Sequence, residues 1–350
     1  MSNPDGGADR ALDVVAIGSA LVDVLAHGTD EELARQGLVK GSMALVDLDR
    51  SNAIYKDMAA GIEVSGGSAA NTVVGVAALG GRSGFLGKVA DDQFGELFLH
   101  DLSAAGVSLG HTRPTPSRLE GEPGEGRGEP LATGRCLVIV TGEGERTMAT
   151  HLGAATTFGP EDVDEPFVMS ANVLYLEGYL WDLPPAKAAM RRATELAHQA
   201  DVLVALSASD PFCVERHRRE FLDLLRDDVD VLFANEEEVK LLFGAGSFDR
   251  AAGAVEETGL LAALTRGASG SVVVTAGGTL EVPAAEVDQV VDTTGAGDLY
   301  AAGFLFGLTR GHEPYTCAQL GGLCAAEVIS HLGARPQVDL ADLAKRTKII

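Results

Sequence analysis

The stretch VVDTTGAGDLYAAGFLFGL, residues 290–308, decides the fold, and the rest of the chain is organised around it. Polar turn formers at 292–294 lead into Gly295, Ala296 and Gly297. After Asp298 comes a run with apolar residues on every side, which is the pattern of a helix buried all round. A glycine turn that opens onto a helix leaves the first peptide N–H groups unpaired. Together with the positive end of the helix dipole, they predict an anion site, most commonly for phosphate.

Asp298 places a carboxylate at the mouth of this predicted anion site. A carboxylate beside phosphate repels it, so its presence suggests a chemical role, such as accepting a proton from an attacking hydroxyl. The alternative is a tight helix start in which Asp298 only complements the dipole. The stretch is neither of the two common nucleotide loops. Tyr300 stands where G-x-G-x-x-G needs its third glycine, and G-x-x-x-x-G-K-[ST] does not occur in the chain.

Composition excludes several classes of protein. With 350 residues, 46% hydrophobic and 22% charged, the chain can form one large α/β domain or two smaller ones. Its net charge of −24 argues against nucleic acid and acidic membranes as partners. The four cysteines form no C-x-x-C pair and the histidines no H-x-x-x-H, so we interpret the cysteines as core residues and expect no metal cage. A polar N-terminus and the lack of an 18-residue apolar run predict a cytoplasmic protein.

The order of predicted elements indicates a parallel α/β sheet covered by helices on both faces. Residues 1–10 are predicted to be a disordered tail, and the Pro-, Gly- and Glu-rich stretch 114–134 a flexible insertion. In the first half, strands are predicted at 12–17, 43–47, 62–65 and 83–89, helices at 30–37, 72–79 and 92–105, and a hairpin at 136–141 and 146–150. In the second half, strands are predicted at 172–177, 201–206, 229–234, 260–265 and 271–275, and helices at 184–199, 214–226, 235–243 and 248–258.

Several polar motifs follow predicted strands, at the sheet edge where α/β proteins bind ligands. Asp23 comes just beyond the first strand and is either a ligand-binding carboxylate or a solvated turn residue. A second glycine turn, GGSAAN at 66–71, opens a helix, and its Asn71 can both donate to and accept from hydroxyls. The alternative for this turn is a tightly packed helix start.

Two further motifs lie in the second half. Asn235 and Glu238 follow one strand, and their locally favoured interpretation is a helix cap, with carboxylates that could also reach Mg²⁺ through water. Residues 265–270, TRGASG, follow the next strand and offer N–H and hydroxyl donors that suit phosphate, or form a turn between two strands.

Taken together, these motifs resemble the ribokinase-like (PfkB) family of sugar and nucleoside kinases. GGSAANTVVGVAALGG at 66–81 and DTTGAGDLYAAGFL at 292–305 are similar to its two signatures, and Asn235–Glu238 and 265–270 to its N-x-x-E and T-x-G-x-x-G motifs. The similarity runs from about residue 12 to 340. It implies a single domain at 11–345, doubly wound with a mostly parallel sheet, and a small β-sheet lid from about 20–65 and 107–152.

The resemblance implies ATP- and Mg²⁺-dependent phosphorylation of a primary hydroxyl, and it implies a role for each motif residue. Asp298 would be the base, and the backbone at 295–297 the anion hole. Acceptor hydroxyls would be held by Asp23, Gly66, Gly67, Ser68 and Asn71, with Arg146 facing phosphate. Thr265, Gly267, Gly270 and Asn235 would contact ATP, and Asn235 and Glu238 would organise Mg²⁺. Whether a monovalent cation such as K⁺ activates the enzyme stays open.

The identity of the acceptor is the open question within this family. Ribokinases carry lysine where Ser68 stands, and the segments GSALVDV, ERTMATHLGAA and AAEVISHLGARP are similar to bacterial adenosine-kinase-like members. A nucleoside kinase, with adenosine as acceptor, is therefore one hypothesis, a kinase of ribose, fructose or a related sugar the second, and a non-catalytic ligand-binding protein the third. The intact Asp298 and glycine turn argue against the third.

A flat nucleobase would require an apolar lid lining. The candidates are Leu21, Met43, Leu45, Leu137, Ile139 and Met148. Alternation puts Leu137 and Ile139 on one face of their strand and Cys136, Val138 and Val140 on the other, so both faces are apolar. This pattern also fits a lid that is buried in a homodimer interface.

Overall fold

The computed structural model of the protein describes residues 10–111, 115, 131–142 and 145–350. Most of the predicted tail and insertion therefore lies outside the described residues. Arg10 and Thr133, at the ends of these two predicted segments, contact the rest of the chain. The Arg10 guanidinium donates to the carbonyl of Ala171 at 2.6 Å. Thr133 is buried, and its N–H donates to the Asp92 carboxylate at 2.8 Å, so the chain has joined the packed structure before residue 134.

The strands, in chain order, are β1 (Leu12–Ile17), β2 (Leu21–His27), β3 (Met43–Leu45), β4 (Ile62–Gly66), β5 (Ser83–Leu86), β6 (Ser108–Leu109), β7 (Gly134–Val140), β8 (Arg146–His151), β9 (Ala171–Glu177), β10 (Leu203–Ser207), β11 (Val231–Asn235), β12 (Leu261–Thr265), β13 (Ser271–Thr275) and β14 (Gly278–Val282).

The helices are α1 (Asp30–Arg35), α2 (Leu48–Asp57), α3 (Ser68–Ala78), α4 (Gln93–Ala104), α5 (Glu165–Met169), α6 (Pro184–Gln199), α7 (Pro211–Asp227), α8 (Glu236–Phe243), α9 (Phe248–Thr258), α10 (Ala296–Thr309), α11 (Pro314–Val328) and α12 (Leu340–Arg346). Short 3₁₀ turns lie at Gly153–Thr157, Pro160–Asp162, Gly178–Asp182 and Gly267–Ser269.

The large sheet has the strand order β14-β13-β12-β11-β10-β9-β1-β5-β6. In this order, neighbouring strands from β12 across the sheet to β6 pair in parallel. Strands β13 and β14 pair antiparallel and form the opposite edge. Successive side chains along its strands point to opposite faces of the sheet, and each face packs into its own hydrophobic core. Val14 and Phe233 pack with α3, α10 and α11, while Val15 and Leu232 pack with the α6–α9 side. Because helices cover both faces of the sheet, the strands between them carry apolar residues on both sides. The predicted doubly wound architecture is confirmed.

The second sheet, which we call the lid sheet, has the order β3-β8-β7-β2-β4. One of its faces, with Val22, Val24, Leu137 and Ile139, joins the main core beside Leu33 of α1 and Ile54 of α2. Strand β6 lies within the stretch that the sequence assigned to the lid, but it pairs with β5 at the edge of the large sheet.

Two local predictions near the first strands were wrong. Asp23 lies in the middle of β2, and not in a turn, because LVDVLAH alternates between a core-facing and an opposite face. Helix α3 begins at Ser68, and not at Thr72, because Gly67 supplies the N-cap with a φ of 93°. A Cβ at Gly67 would lie 2.3 Å from the Ser19 carbonyl oxygen, so glycine is required there.

The four cysteines are free and buried, as the core interpretation predicts. Among the described helices, none is both long and apolar enough to cross a bilayer.

Candidate active site

The polar motifs meet at one edge of the large sheet. Strands β1, β9, β10, β11 and β12 are parallel, so their carboxyl ends lie side by side. The start of α10 and the lid sheet complete a cleft above this edge. It is the place where open α/β sheets bind ligands.

Asp298 lies in the first turn of α10, behind the N-cap Gly295 with its φ of 79°. Its carboxylate accepts hydrogen bonds from Ser68 Oγ at 2.6 Å and Asn71 Nδ2 at 2.9 Å. The two glycine motifs, more than 220 residues apart in sequence, therefore form one site. Ser68 and Asn71 hold the carboxylate in one orientation, as a general base requires.

The glycines of the turn before α10 have different surroundings. A Cβ at Gly295 would lie 2.6 Å from Ala334 Cβ, whereas a Cβ at Gly297 would meet nothing within 4 Å. The N–H of Ala296 donates to the Thr293 carbonyl at 3.2 Å, so it is already engaged. The open side of the predicted anion hole is therefore at Gly297, in the first helical turn, where N–H groups have no acceptor within the helix.

Burial raises the pKa of Asp298, and the hydrogen bonds from Ser68 and Asn71 and the charge of Arg335 oppose this rise. A carboxylate whose pKa is raised by burial is a stronger base than an exposed one, and the hydrogen bonds and positive charge favour its ionised form.

Asp23 lies on the face of β2 that is turned away from the core. A Cβ at Gly66 would lie 2.3 Å from its Oδ2, so a side chain at position 66 would displace the Asp23 carboxylate. Burial raises the pKa of Asp23 to about 6, opposed by Arg335, while Asp298 adds to the rise. Nearby, the Oδ1 atom of Asn71 is buried and has no hydrogen-bond partner within the described part of the chain. Both groups can accept hydroxyl hydrogen bonds.

Arg146 of β8 crosses from the lid sheet to the loop before α10. Its Nη1 donates to Thr294 Oγ1 at 2.7 Å, and its Nη2 forms an ion pair with Asp292. Asp292 is buried and accepts from the N–H groups of Thr294, at 3.0 Å, and Gly333, at 2.8 Å. The contacts of Arg146 in this structure thus tie the lid to the 292–297 loop.

The sequence analysis missed three charged residues of this site: Asp292, Glu177 and Arg335. Glu177, the last residue of β9, accepts from the N–H groups of Ser19 and Ala69 at 3.2 and 2.9 Å. It thereby caps α3, whose N-cap glycine has no side chain, and burial raises its pKa to about 7. Its position at a parallel strand's carboxyl end was a usable signal for Glu177. Arg335 lies in the segment AAEVISHLGARP, but nothing in that segment indicated its role.

The face of the lid sheet that carries Asp23 also carries Arg146 and Thr150 of β8 and a small apolar cluster. Cys136, Val138 and Val140 form a small cluster there with Leu25 and Met148. Asp23 and Leu25 alternate with core-facing Val22 and Val24, so this cluster lies on the Asp23 side. The assignment of Leu137 and Ile139 to the lining was therefore wrong. Helices α1 and α2 cover one apolar face of β7, and the other face carries the cluster beside Asp23. The homodimer through the lid stays a prediction.

Asn235 and Glu238 form a local capping box at the start of α8. Asn235 Oδ1 accepts from the N–H groups of Glu237 and Glu238 at 2.9 Å. Its own N–H and Nδ2 donate to the two Glu238 oxygens at 2.8 and 2.6 Å. Burial raises the pKa of Glu238 to about 7. In the described residues no group of three or more His, Cys, Asp or Glu side chains is arranged to hold a metal ion.

The TRGASG motif forms the turn between β12 and β13. Gly270 has a φ of 83°, and a Cβ there would lie 2.1 Å from the Val282 carbonyl oxygen, so packing alone requires this glycine. Gly267, with a φ of 55°, faces open space. The guanidinium of Arg266 stacks 4.2 Å from the Phe248 ring centroid and its Nε donates to Glu236 at 3.1 Å. Of the two glycines, Gly267 is therefore the one at which a ligand can approach the backbone.

Comparisons with known proteins agree with this geometry. The chain matches the pfkB family of carbohydrate kinases over residues 51–123 and 125–340. It is 30% identical to the adenosine kinase of Saccharomyces cerevisiae over 345 residues, which cover 91% of this chain and 95% of the yeast protein.

Two solved structures are similar over nearly their whole length. The adenosine kinase from Sinorhizobium meliloti is 46% identical with a TM-score of 0.85, and the match covers 96% of this chain and 99% of that one. A probable sugar kinase from Rhizobium etli is 40% identical with a TM-score of 0.88, covering 97% and 100% of the two chains.

Proposed function

Because the chain belongs to the pfkB family of carbohydrate kinases and is therefore a phosphotransferase, we propose that it phosphorylates the primary hydroxyl of a nucleoside, with adenosine as the preferred acceptor. The single observation that carries the chemistry is Asp298, held by Ser68 and Asn71 at the N-terminus of α10. We call the region of β2, α3 and Asp298 the acceptor side, and Asn235–Glu238 with the 265–270 turn the nucleotide side.

Transfer requires the acceptor oxygen to attack the γ-phosphorus of ATP as its proton leaves. Asp298 takes that proton, and the N-terminus of α10 stabilises the charge on the transferring phosphoryl group. Asp23 and Asn71 accept hydrogen bonds from other acceptor hydroxyls and fix the reacting one beside Asp298. Arg146 and Asp292 hold the lid sheet against the 292–297 loop, which excludes water from the transfer.

Kinases of this family use ATP, and the nucleotide side fits its phosphates through backbone donors. Its residues fit Mg²⁺ only indirectly, because both Glu238 oxygens already accept from Asn235. We therefore propose that Glu238 contacts a water molecule bound to the Mg²⁺ ion, and not the ion itself. The bound ion would neutralise phosphate charge during transfer.

The apolar face beside Asp23 supports a nucleoside over a bare sugar. Leu25, Val138 and Met148 offer a nucleobase an apolar surface, whereas sugar hydroxyls buried there would lack partners, at a cost of about 1–3 kcal/mol each.

A sugar acceptor is the second candidate, supported by the 40% identity to the Rhizobium etli probable sugar kinase. It would use the same Asp298 chemistry and differ only in what the lid sheet covers. A panel of acceptors separates the two candidates.

Substitution Asp298→Asn tests the proposed base. We expect kcat to fall by about 10²–10⁴-fold, because the amide cannot take a proton, while both substrates still bind. The measurements are ADP release for turnover and calorimetry for binding. Asp182→Asn is the matched control, since Asp182 pairs with Arg216 and His217 outside the cleft. Wild-type turnover in the Asp298→Asn variant would mean that another group is the base.

A further inference from the structure

Arg335 follows α11 and reaches across the molecule to the glycine turn of the acceptor side. Its Nε and Nη2 donate to the Ser65 carbonyl at 3.1 and 2.7 Å, and Nη2 also lies 3.0 Å from Ser65 Oγ. Its Nη1 donates to the Ala70 carbonyl at 3.0 Å. Ser65 and Ala70 are the residues on either side of 66–69, so one planar guanidinium joins the two ends of this turn.

The joined turn carries the groups that hold the reacting carboxylates. Ser68, inside the turn, and Asn71, two residues after it, bind Asp298, and Gly66 packs against Asp23. Ser65 is also fixed from the other side, since its N–H donates to Asp101 at 2.9 Å. A shift of the turn would therefore displace the partners of both carboxylates.

Arg335 is also the cation that faces both carboxylates. Burial lowers its pKa to about 10, while Asp23, Asp298 and Asp101 counteract that fall. Among the charged groups that act on Asp23, Arg335 has a larger effect than Asp298 or Arg146. Asp298 likewise has Arg335 as a stabilising charge. The other titratable groups that face the two carboxylates from neighbouring elements are Arg146 of β8, Glu177 and Tyr175 of β9, Cys136 of β7 and Tyr179.

We propose that Arg335 is a positioning residue of the phosphoryl-transfer site: it fixes the 66–69 turn and supplies the positive charge that lets Asp23 and Asp298 be ionised at the same time. This inference rests on the proposed function, because it assigns the two carboxylates the roles of acceptor binding and general base. The residue touches neither substrate in this role and acts through the carboxylates and the turn.

Two substitutions separate the charge from the geometry. Arg335→Gln removes the charge, so both carboxylates should bind protons more readily, and the acid limb of the kcat profile should move up by about one pH unit. Arg335→Lys keeps the charge but cannot reproduce the planar set of donors. Its acid limb should stay near that of the wild type while the KM for the acceptor rises. Arg310→Gln is the control, since Arg310 pairs with Asp13 and takes no part in the site.

A second readout keeps the test independent of catalysis. Carbon-13 NMR of aspartate-labelled protein, assigned with Asp23→Asn and Asp298→Asn, follows the two carboxyl groups directly. Their titration should move up in Arg335→Gln and not in Arg310→Gln. Unchanged titration in Arg335→Gln would overturn the inference even if the enzyme is a kinase. Absence of kinase activity in the wild type would instead overturn the proposed function. The NMR titration would then still show whether Arg335 favours the ionised forms of Asp23 and Asp298. If Arg335→Gln does not fold, an unchanged acceptor KM in Arg335→Lys contradicts the inference.

Discussion

Asn71 and Asn235 both belong to sequence motifs at the start of a helix, yet their side chains have different partners. Asn71 donates to Asp298, 227 residues further along the chain, and its Oδ1 is buried without a partner among the described residues. Among the described residues, the side chain of Asn235 bonds only to Glu237 and Glu238 of the adjoining helical turn. The acceptor side is thus assembled from distant elements and leaves polar atoms for a ligand, whereas the nucleotide side satisfies its side chains locally and offers mainly backbone.

The comparison predicts that side-chain substitutions on the acceptor side affect chemistry and those on the nucleotide side affect stability. The two asparagines provide a matched pair, because each is replaced by alanine at a helix start.

Asn71→Ala should reduce catalysis more than Asn235→Ala does. It removes a charged hydrogen bond to Asp298 and the predicted contact to an acceptor hydroxyl. At about 1.5–3 kcal/mol for a hydrogen bond to a charged group, kcat/KM for the acceptor should fall by roughly ten- to more than a hundredfold. Steady-state kinetics with the acceptor varied at saturating ATP measures this. A loss confined to the ATP KM would reverse the assignment of the two sides.

The pH dependence of kcat/KM for the acceptor should also come from a residue of the acceptor side. Asp23, with a raised pKa of about 6, binds hydroxyls best when ionised. The kcat/KM for the acceptor should therefore be full well above pH 6, be about halved near that value and fall further as the pH drops. Asp23→Asn should have a lower kcat/KM at neutral pH and lose this limb, and any acid limb that remains belongs to Asp298. A wild-type profile that is flat down to pH 5 would contradict the assignment.

Asn235→Ala should have the smallest effect on catalysis. Loss of an N-cap side chain costs about 1 kcal/mol of stability. Urea unfolding measures that loss, and kcat should change only a few-fold. A kcat loss as large as that of Asn71→Ala would show that the capping box is not the main role of Asn235.

Much of this fold could be predicted because its signals are local. The continuous apolar strands, the glycine turns and the all-apolar helix after Asp298 each follow from periodicity and turn chemistry. The β2 strand was missed although its alternation was present, because Gly18–Ser19 suggested a turn that ended the strand region. The lining of the lid was assigned to the wrong face of β7, since both faces are apolar and only the position of α1 and α2 decides which one is covered.

The candidate site could be predicted only where a residue sits inside a motif. Asp298, Ser68 and Asn71 lie in glycine turns, so their types and spacing were informative. Arg335, Glu177 and Asp292 lie in quoted segments or at a strand end, but nothing there marks their roles, because each has a partner far away in sequence. Their roles depend on tertiary packing, which a single sequence does not reveal.

The most direct test of the central claim, that a nucleoside is the acceptor, measures ADP release by the wild-type enzyme with adenosine, 5′-deoxyadenosine, ribose and fructose in turn. We expect kcat/KM for adenosine to exceed that for either sugar by at least about tenfold, or roughly 1.4 kcal/mol in the transition state, because the apolar face of the lid sheet covers the base. The 5′-deoxy analogue, which lacks the primary hydroxyl, should give no turnover and inhibit competitively with adenosine. Equal or better activity on ribose or fructose would contradict the nucleoside assignment and leave the kinase chemistry at Asp298 in place.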